Sequence, residues 1–191
     1  LRIGSAAQSL GGGVSHGQGR TATGAISHLL GWAYTPDVRQ YPHDVAAATR
    51  LLDEAGRKPG RDGERMAITF THAPTAQRLG QTLREQLKAV GITLNLQTVD
   101  FNAAVDQVFV KKNFDLGMAS FCNGADPDIG VRRVYVSSNI GPFPFSNGAG
   151  YRNARVDTPF DEASQFQDRA DRRAGPTQLH TLSLLHALPI L

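Results

Sequence analysis

The sequence predicts an α/β fold, a mainly parallel sheet flanked by helices. After an opening helix, segments of period-two alternation take turns with segments of helical periodicity, in the order strand, helix, strand, helix, strand, between residues 66 and 120. The connections between them are short, and such a pattern pairs its strands in parallel through right-handed crossovers. Directly after the last strand comes a turn-forming cluster, Cys122-Asn123-Gly124-Ala125-Asp126-Pro127-Asp128. Open parallel sheets present their ligands at that end of the strands.

Each element has a local reason. Asp44 is a good N-cap for a helix to Ala55, with Val45, Ala48, Leu51, Leu52 and Ala55 on one face and Gly56 suited to the position after the helix. Met66 to Thr71 alternates Met66, Ile68 and Phe70 against Ala67, Thr69 and Thr71, a strand. Thr75 to Val90 places Ala76, Leu79, Leu83, Leu87 and Val90 three and four apart, an amphipathic helix ending at Gly91. Ile92 to Val99 alternates again. Asp100 caps a helix carrying Phe101, Val105, Val108 and Phe109, and Phe114 to Ser120 is the third strand. Ile129 to Val136 reads as a short helix and Ser137 to Gly150 as a long turn-rich loop. Asp157 is expected to cap a last helix with Pro159 in its first turn and Phe160, Ala163 and Phe166 along one face. Gly175-Pro176 interrupts any continuation.

The expected organisation is a loop-rich segment over residues 1–43 packed on an α/β domain over 44–174, with a tail over 175–191. Trp32 and Tyr34 are the residues that would pack the first segment. Gly11-Gly12-Gly13 and Gly17-Gln18-Gly19 lack the preceding strand and following helix of a dinucleotide fingerprint, so they read as loop. The closing LHTLSLLHALPIL resembles translated sequencing adapter, and the tail is of doubtful authenticity.

Bulk properties narrow the function. At 191 residues, with 40% hydrophobic and 19% charged residues, the chain suits one well-packed globular domain. Its 20 Lys and Arg against 17 Asp and Glu give only +3, and Arg20, Arg39, Arg50, Arg78, Lys88 and Arg155 are scattered. A nucleic-acid partner would need a concentrated basic face, so none is expected. The single cysteine, Cys122, excludes an intrachain disulfide. No apolar run approaches the roughly 20 residues of a membrane-spanning helix. The opening LRIGSAAQSLGGG has no apolar core like that of a secretory signal. The chain begins at Leu1 rather than Met, which suggests a fragment.

Two carboxylates, Asp126 and Asp128, stand on the loop that follows the third strand. They suit a ligand site, and equally a surface turn whose aspartates cap the next helix; spacing leaves both open. As a D-x-D pair they also suit Mg²⁺, the alternative being a metal-dependent transferase using Asp126 and Asp128. That reading lacks a nucleotide cradle or positioned base. The six histidines show no H-x-x-x-H spacing, and Cys122 has no identifiable partner for nucleophilic catalysis. No catalytic residue and no cofactor are expected. A plain interaction module without a small ligand is the third class.

Several motifs in order carry a family resemblance: GQGRTATGAI at Gly17–Ile26, WAYTPDV at Trp32–Val38 and YPHDVAAATRLLDEAG at Tyr41–Gly56. They continue with LREQLKAVGITLNLQTVDF at Leu83–Phe101, FDLGMASF at Phe114–Phe121, ADPD at Ala125–Asp128 and FSNGAGYRNARVD at Phe145–Asp157. The chain resembles the extracytoplasmic solute-binding proteins of ABC importers for peptides and nickel, solute-binding family 5. The resemblance implies a periplasmic binding protein type II-like lobe, most of the C-terminal one, with the N-terminal lobe and secretion signal missing. It implies capture of a solute, most often a short peptide, between two lobes, and delivery to ABC permease subunits. The location would be periplasmic or extracytoplasmic, with membrane contact only through the permease or a lipid anchor. In the family's peptide binders an acid of this loop holds the substrate's α-ammonium, a role that falls by position to Asp126, with Asp128 second. Asn123 and the Gly124 backbone would bond the peptide main chain, and Phe121 and Cys122 would lie near the cleft. Arg132 and Arg133 read as solvated helix-surface charge, with reach to a substrate carboxylate as the alternative, and Asn147, Tyr151, Asn153 and Asp157 as structural. The family's helix runs on where this chain has Gly175-Pro176.

Overall fold

The computed structural model describes residues 24–37, 43–118, 120 and 124–172. Phe121, Cys122 and Asn123, the two glycine clusters near the start, and the tail lie outside the described residues.

Seven-residue strands β1 (Met66–His72) and β2 (Ile92–Thr98) pair in parallel from Met66 opposite Ile92 to His72 opposite Thr98. Helix α1 (Val45–Glu54) precedes them, and α2 (Gln77–Lys88) is the crossover between them, entered through a 3₁₀ turn at Pro74–Ala76. Asp44 caps α1 as expected, its carboxylate accepting from the Ala47 amide at 2.9 Å. The sheet runs β2-β1-β3.

Strand β3 is only Leu116–Gly117, parallel to β1 at Phe70 and Thr71, not Phe114 to Ser120. Its start is set one residue before it. The Thr69 amide donates to Asp115 Oδ2 at 2.8 Å, so a side chain takes a ladder position that backbone would otherwise fill. Beyond β2, Asp100 caps α3 (Phe101–Val105) through the Ala103 amide at 3.0 Å. The expected helix then widens into a π-type turn over Asp106–Lys111, ending at left-handed Lys112. Val108 and Phe109 are buried, whereas Phe101 turns outward, 61% exposed, against its expected place on the apolar face.

Two short helices follow, α4 (Pro127–Gly130) and α5 (Arg132–Tyr135), where one was expected. Helix α6 (Ala154–Ala163) starts earlier than the sequence suggests. Asn153 caps it through the Arg155 amide, so Pro159 falls inside the helix rather than in its first turn. Asp157 instead accepts from the Ser137 amide at 2.8 Å and ties the preceding loop to α6. Of the three residues assigned to its apolar face, Phe160 and Ala163 are buried, whereas Phe166 lies beyond the helix end and is exposed. A final turn, α7, covers Arg169–Arg172.

The packing falls into two regions. Against the sheet, Ala48 and Leu52 of α1 meet Val90 and Ile92, and Leu83 of α2 meets Phe70, Ala76 and Leu94. Each such large side chain contributes about 1.5–3 kcal/mol on burial. The second cluster joins Ile26 and Ala33 of the early segment to Val131, Val136, Val156 and Phe160, with Trp32, Tyr34 and Tyr135 against it. Residues 24–37 are therefore part of this packing, against the helices after β3.

Candidate functional site

Parallel pairing brings the carboxyl ends of the strands, His72, Thr98 and Gly117, to one edge of the sheet. His72 is fully buried there. Its Nδ1 lies 2.8 Å from the Ala73 carbonyl, which only accepts, so Nδ1 carries the proton. Thr98 Oγ1 lies 3.5 Å from His72 Nε2 and donates to Gln77 Oε1 at 2.8 Å, and the Val99 amide donates to the His72 carbonyl at 3.0 Å. These contacts knit β1, β2 and the start of α2 into one rigid edge. Just past the strand ends, Phe101 and Met118 are exposed apolar side chains.

The loop that follows β3 comes into the described residues at Gly124, whose φ of +64° is a conformation glycine adopts without strain. Asp126 then takes extended backbone, and its half-buried carboxylate accepts from the Asp128 amide at 3.0 Å, with Pro127 at the first helical position of α4. Of the two readings left open by the spacing, the helix cap is realised at Asp126. Asp128 is held differently. Its Oδ1 lies 3.6 Å from Arg132 Nε, one turn on, and Arg132 Nη2 reaches Asp161 of α6. Arg132 is thus an internal tie rather than solvated surface charge, its side chain only 29% exposed. The Asp126–Asp128 pair is partly engaged with its own helix and with Arg132. Among the described residues no group of three His, Cys, Asp or Glu is placed to hold a metal ion.

Beyond α5, Asn147 is fully buried. Its Nδ2 lies 2.8 Å from the Tyr151 carbonyl and 3.2 and 3.3 Å from those of Val136 and Tyr135, while Oδ1 accepts from the Tyr151 amide at 3.1 Å. Tyr151 in turn receives a bond from Asn153 Nδ2 on its hydroxyl at 2.9 Å. This network pins the end of α5 to the start of α6. Burial of the Tyr135 phenol pushes its pKa up to about 12.

Two features do not figure in the sequence reading, one without any local signal and one with a weak one. The tie from Arg132 to Asp161 spans 29 positions and leaves no local signal. His72 shares the parity of Met66, Ile68 and Phe70, which hinted at an inward side chain. At the opposite, amino ends of the strands a shallow groove of about 570 Å³ opens between the Pro59–Arg65 loop and the Lys88–Thr93 turn, on the far side of the sheet from the candidate loop.

An α/β lobe with this parallel sheet and flanking helices is the architecture of type II periplasmic binding proteins. Solved structures share it. A nickel-histidine complex of NikZ from Campylobacter jejuni superposes with a TM-score of 0.80 at 18% identity, over 94% of this chain and 37% of that one. The oligopeptide-binding protein AppA from Bacillus subtilis, in complex with a nonapeptide, gives 0.78 at 23% identity, over 93% and 37%. Among curated proteins, Protein XP55 of Streptomyces lividans is 30% identical over 171 residues, 84% of this chain and 30% of that protein. The glutathione-binding protein GsiB of Escherichia coli K12 is 28% identical over 161 residues, 82% and 30%. The family model for bacterial extracellular solute-binding proteins, family 5 (middle), matches residues 7–142. The chain belongs to that family, and it spans under a third of the length of these curated relatives.

Proposed function

We propose that this chain is a lobe of the solute-binding component of an ABC-type importer, capturing a small solute, most often a short peptide, outside the cytoplasm and handing it to permease subunits. The observation that carries the reading is the family match over residues 7–142. Support comes from the fold shared with peptide- and nickel-complexed receptors and from a loop with two carboxylates following a strand of a parallel sheet. The transferase alternative is not favoured: the matching family is one of solute-binding proteins, and Asp128 faces a guanidinium.

Within this reading, Asp126 receives the α-ammonium of the solute and Asp128 is second to it. The resemblance assigns main-chain bonds to Gly124 and Asn123 and cleft contacts to Phe121 and Cys122, the last three outside the described residues. Capping and binding are compatible, because a carboxylate has lone pairs for several donors. A charge-assisted bond of this kind contributes about 1.5–3 kcal/mol. Closure of a second lobe would exclude water and strengthen it. Calorimetry with trialanine on the longer protein that carries this lobe tests it: Asp126→Ala is expected to weaken binding at least tenfold. Unchanged affinity would overturn the assignment. The 191-residue chain alone is expected to bind trialanine poorly, since one lobe supplies half of a cleft.

A further inference from the structure

We propose that Arg132 and Asp161 are positioning residues for the Asp126 carboxylate, an inference that rests on the reading of Asp126 as the solute's contact. The contacts form a continuous chain. Asp161 belongs to α6, which Val156 and Phe160 fix into the same apolar cluster as Val131. The Asp161 carboxylate holds Arg132 Nη2. Arg132 Nε and Asp128 Oδ1, both buried atoms, face each other at 3.6 Å. The Asp128 amide, finally, donates to Asp126 Oδ1 at 3.0 Å. The residue that orients the Asp126 carboxylate is therefore itself held by Arg132, and Arg132 is held from a separate helix.

Electrostatics gives the arrangement its direction. A buried carboxylate oxygen needs a counter-charge, and removing one partner of such a pair costs more than the pair contributes. Arg132 supplies that charge to Asp128, so Asp128 stays turned toward α5 and its amide stays turned toward Asp126. The same pairing divides the two acids by role, Asp128 taking the internal cation and Asp126 the external one. Asp161 is the outermost link, with a side chain 59% exposed. It can be altered without opening the core.

The experiment compares Asp161→Asn and Arg132→Gln with the unaltered sequence, in this chain by amide hydrogen exchange and in the longer protein by trialanine titration. Asp161→Asn should leave the melting temperature within a degree or two while the Asp128 amide exchanges at least tenfold faster and trialanine binds at least fivefold more weakly. Asp161→Glu, which restores a carboxylate, should recover both. Arg132→Gln should show the same pattern more strongly, and if it fails to fold, Asp161→Asn still decides the matter. Unchanged exchange at Asp128, or faster exchange spread evenly over the chain with a lowered melting temperature, would overturn the proposal and leave a plain stabilising pair. Should Asp126→Asn not alter trialanine binding while Asp161→Asn still loosens the Asp128 amide, the positioning network stands and the assigned ligand of Asp126 is what fails.

Discussion

Replacing Asn147 by alanine should cost about 3 kcal/mol of folding stability. The side chain is fully buried, and its amide serves four backbone groups: the carbonyls of Tyr135, Val136 and Tyr151 and the amide of Tyr151. Two amide hydrogens cannot satisfy three carbonyls equally, so the 2.8 Å bond to Tyr151 carries most of the donor strength and the longer contacts share the remainder. Alanine strips partners from at least two buried groups at about 1–3 kcal/mol each, of which relaxation and entering water recover part. Against a typical 5–15 kcal/mol for a domain, the loss is large. Urea unfolding of the chain measures it as a lower midpoint at unchanged slope. The isosteric Asn147→Asp sharpens the test, because a carboxylate would meet three carbonyl acceptors. Its folded pKa would be raised, so its stability relative to the unfolded chain is retained below the ordinary carboxyl pKa and lost as pH rises through the folded value. Asn147→Asp should accordingly approach the parent in acid and fall well below it at neutral pH. A cost under 1 kcal/mol for Asn147→Ala, or no pH dependence for Asn147→Asp, would refute the reasoning that this network holds α5 to α6.

Gly91→Ala should destabilise by about 2 kcal/mol or more, since φ is +78° and the added Cβ would stand 2.7 Å from the Gly63 carbonyl oxygen; a melting temperature within a degree of the parent would contradict it. Tyr135, with a pKa raised from 10.0 to about 12, contributes stability that is complete below pH 10 and is lost as pH climbs from 10 to 12. Ultraviolet titration should show one tyrosinate appearing late, together with unfolding. Simultaneous titration of all four tyrosines near pH 10 in a folded chain would be the contrary result.

Where local chemistry decides structure, the sequence was legible. Alternation placed β1 and β2, and Asp44 and Asp100 both cap as their positions suggest. Where a distant group intervenes, it was not. The third strand begins later than its pattern suggests, because nothing nearby shows that Asp115 will take the Thr69 amide, 46 positions away. Asp157 and Asn153 are both good caps, and Pro159 drew the expected helix start toward itself; the bond from Ser137 to Asp157 settles the choice. Within the π-type turn after α3, Val108 packs closely against Gly117, a tertiary contact with no local signal. At the site, the cap at Asp126 was one of two open readings. The Arg132–Asp161 tie was invisible, so Arg132 read as surface charge.

In the proposed function the Asp126 loop holds the cationic end of a solute. Calorimetry on the longer protein, comparing trialanine with N-acetylated trialanine, tests it most directly when done on the parent and on Asp126→Asn. Asparagine keeps the helix cap and removes only the charge. The expected result is that acetylation weakens binding at least tenfold in the parent but makes little difference in Asp126→Asn, with both proteins melting alike. Equal loss on acetylation in the two proteins, or tight binding by Asp126→Asn, would contradict it.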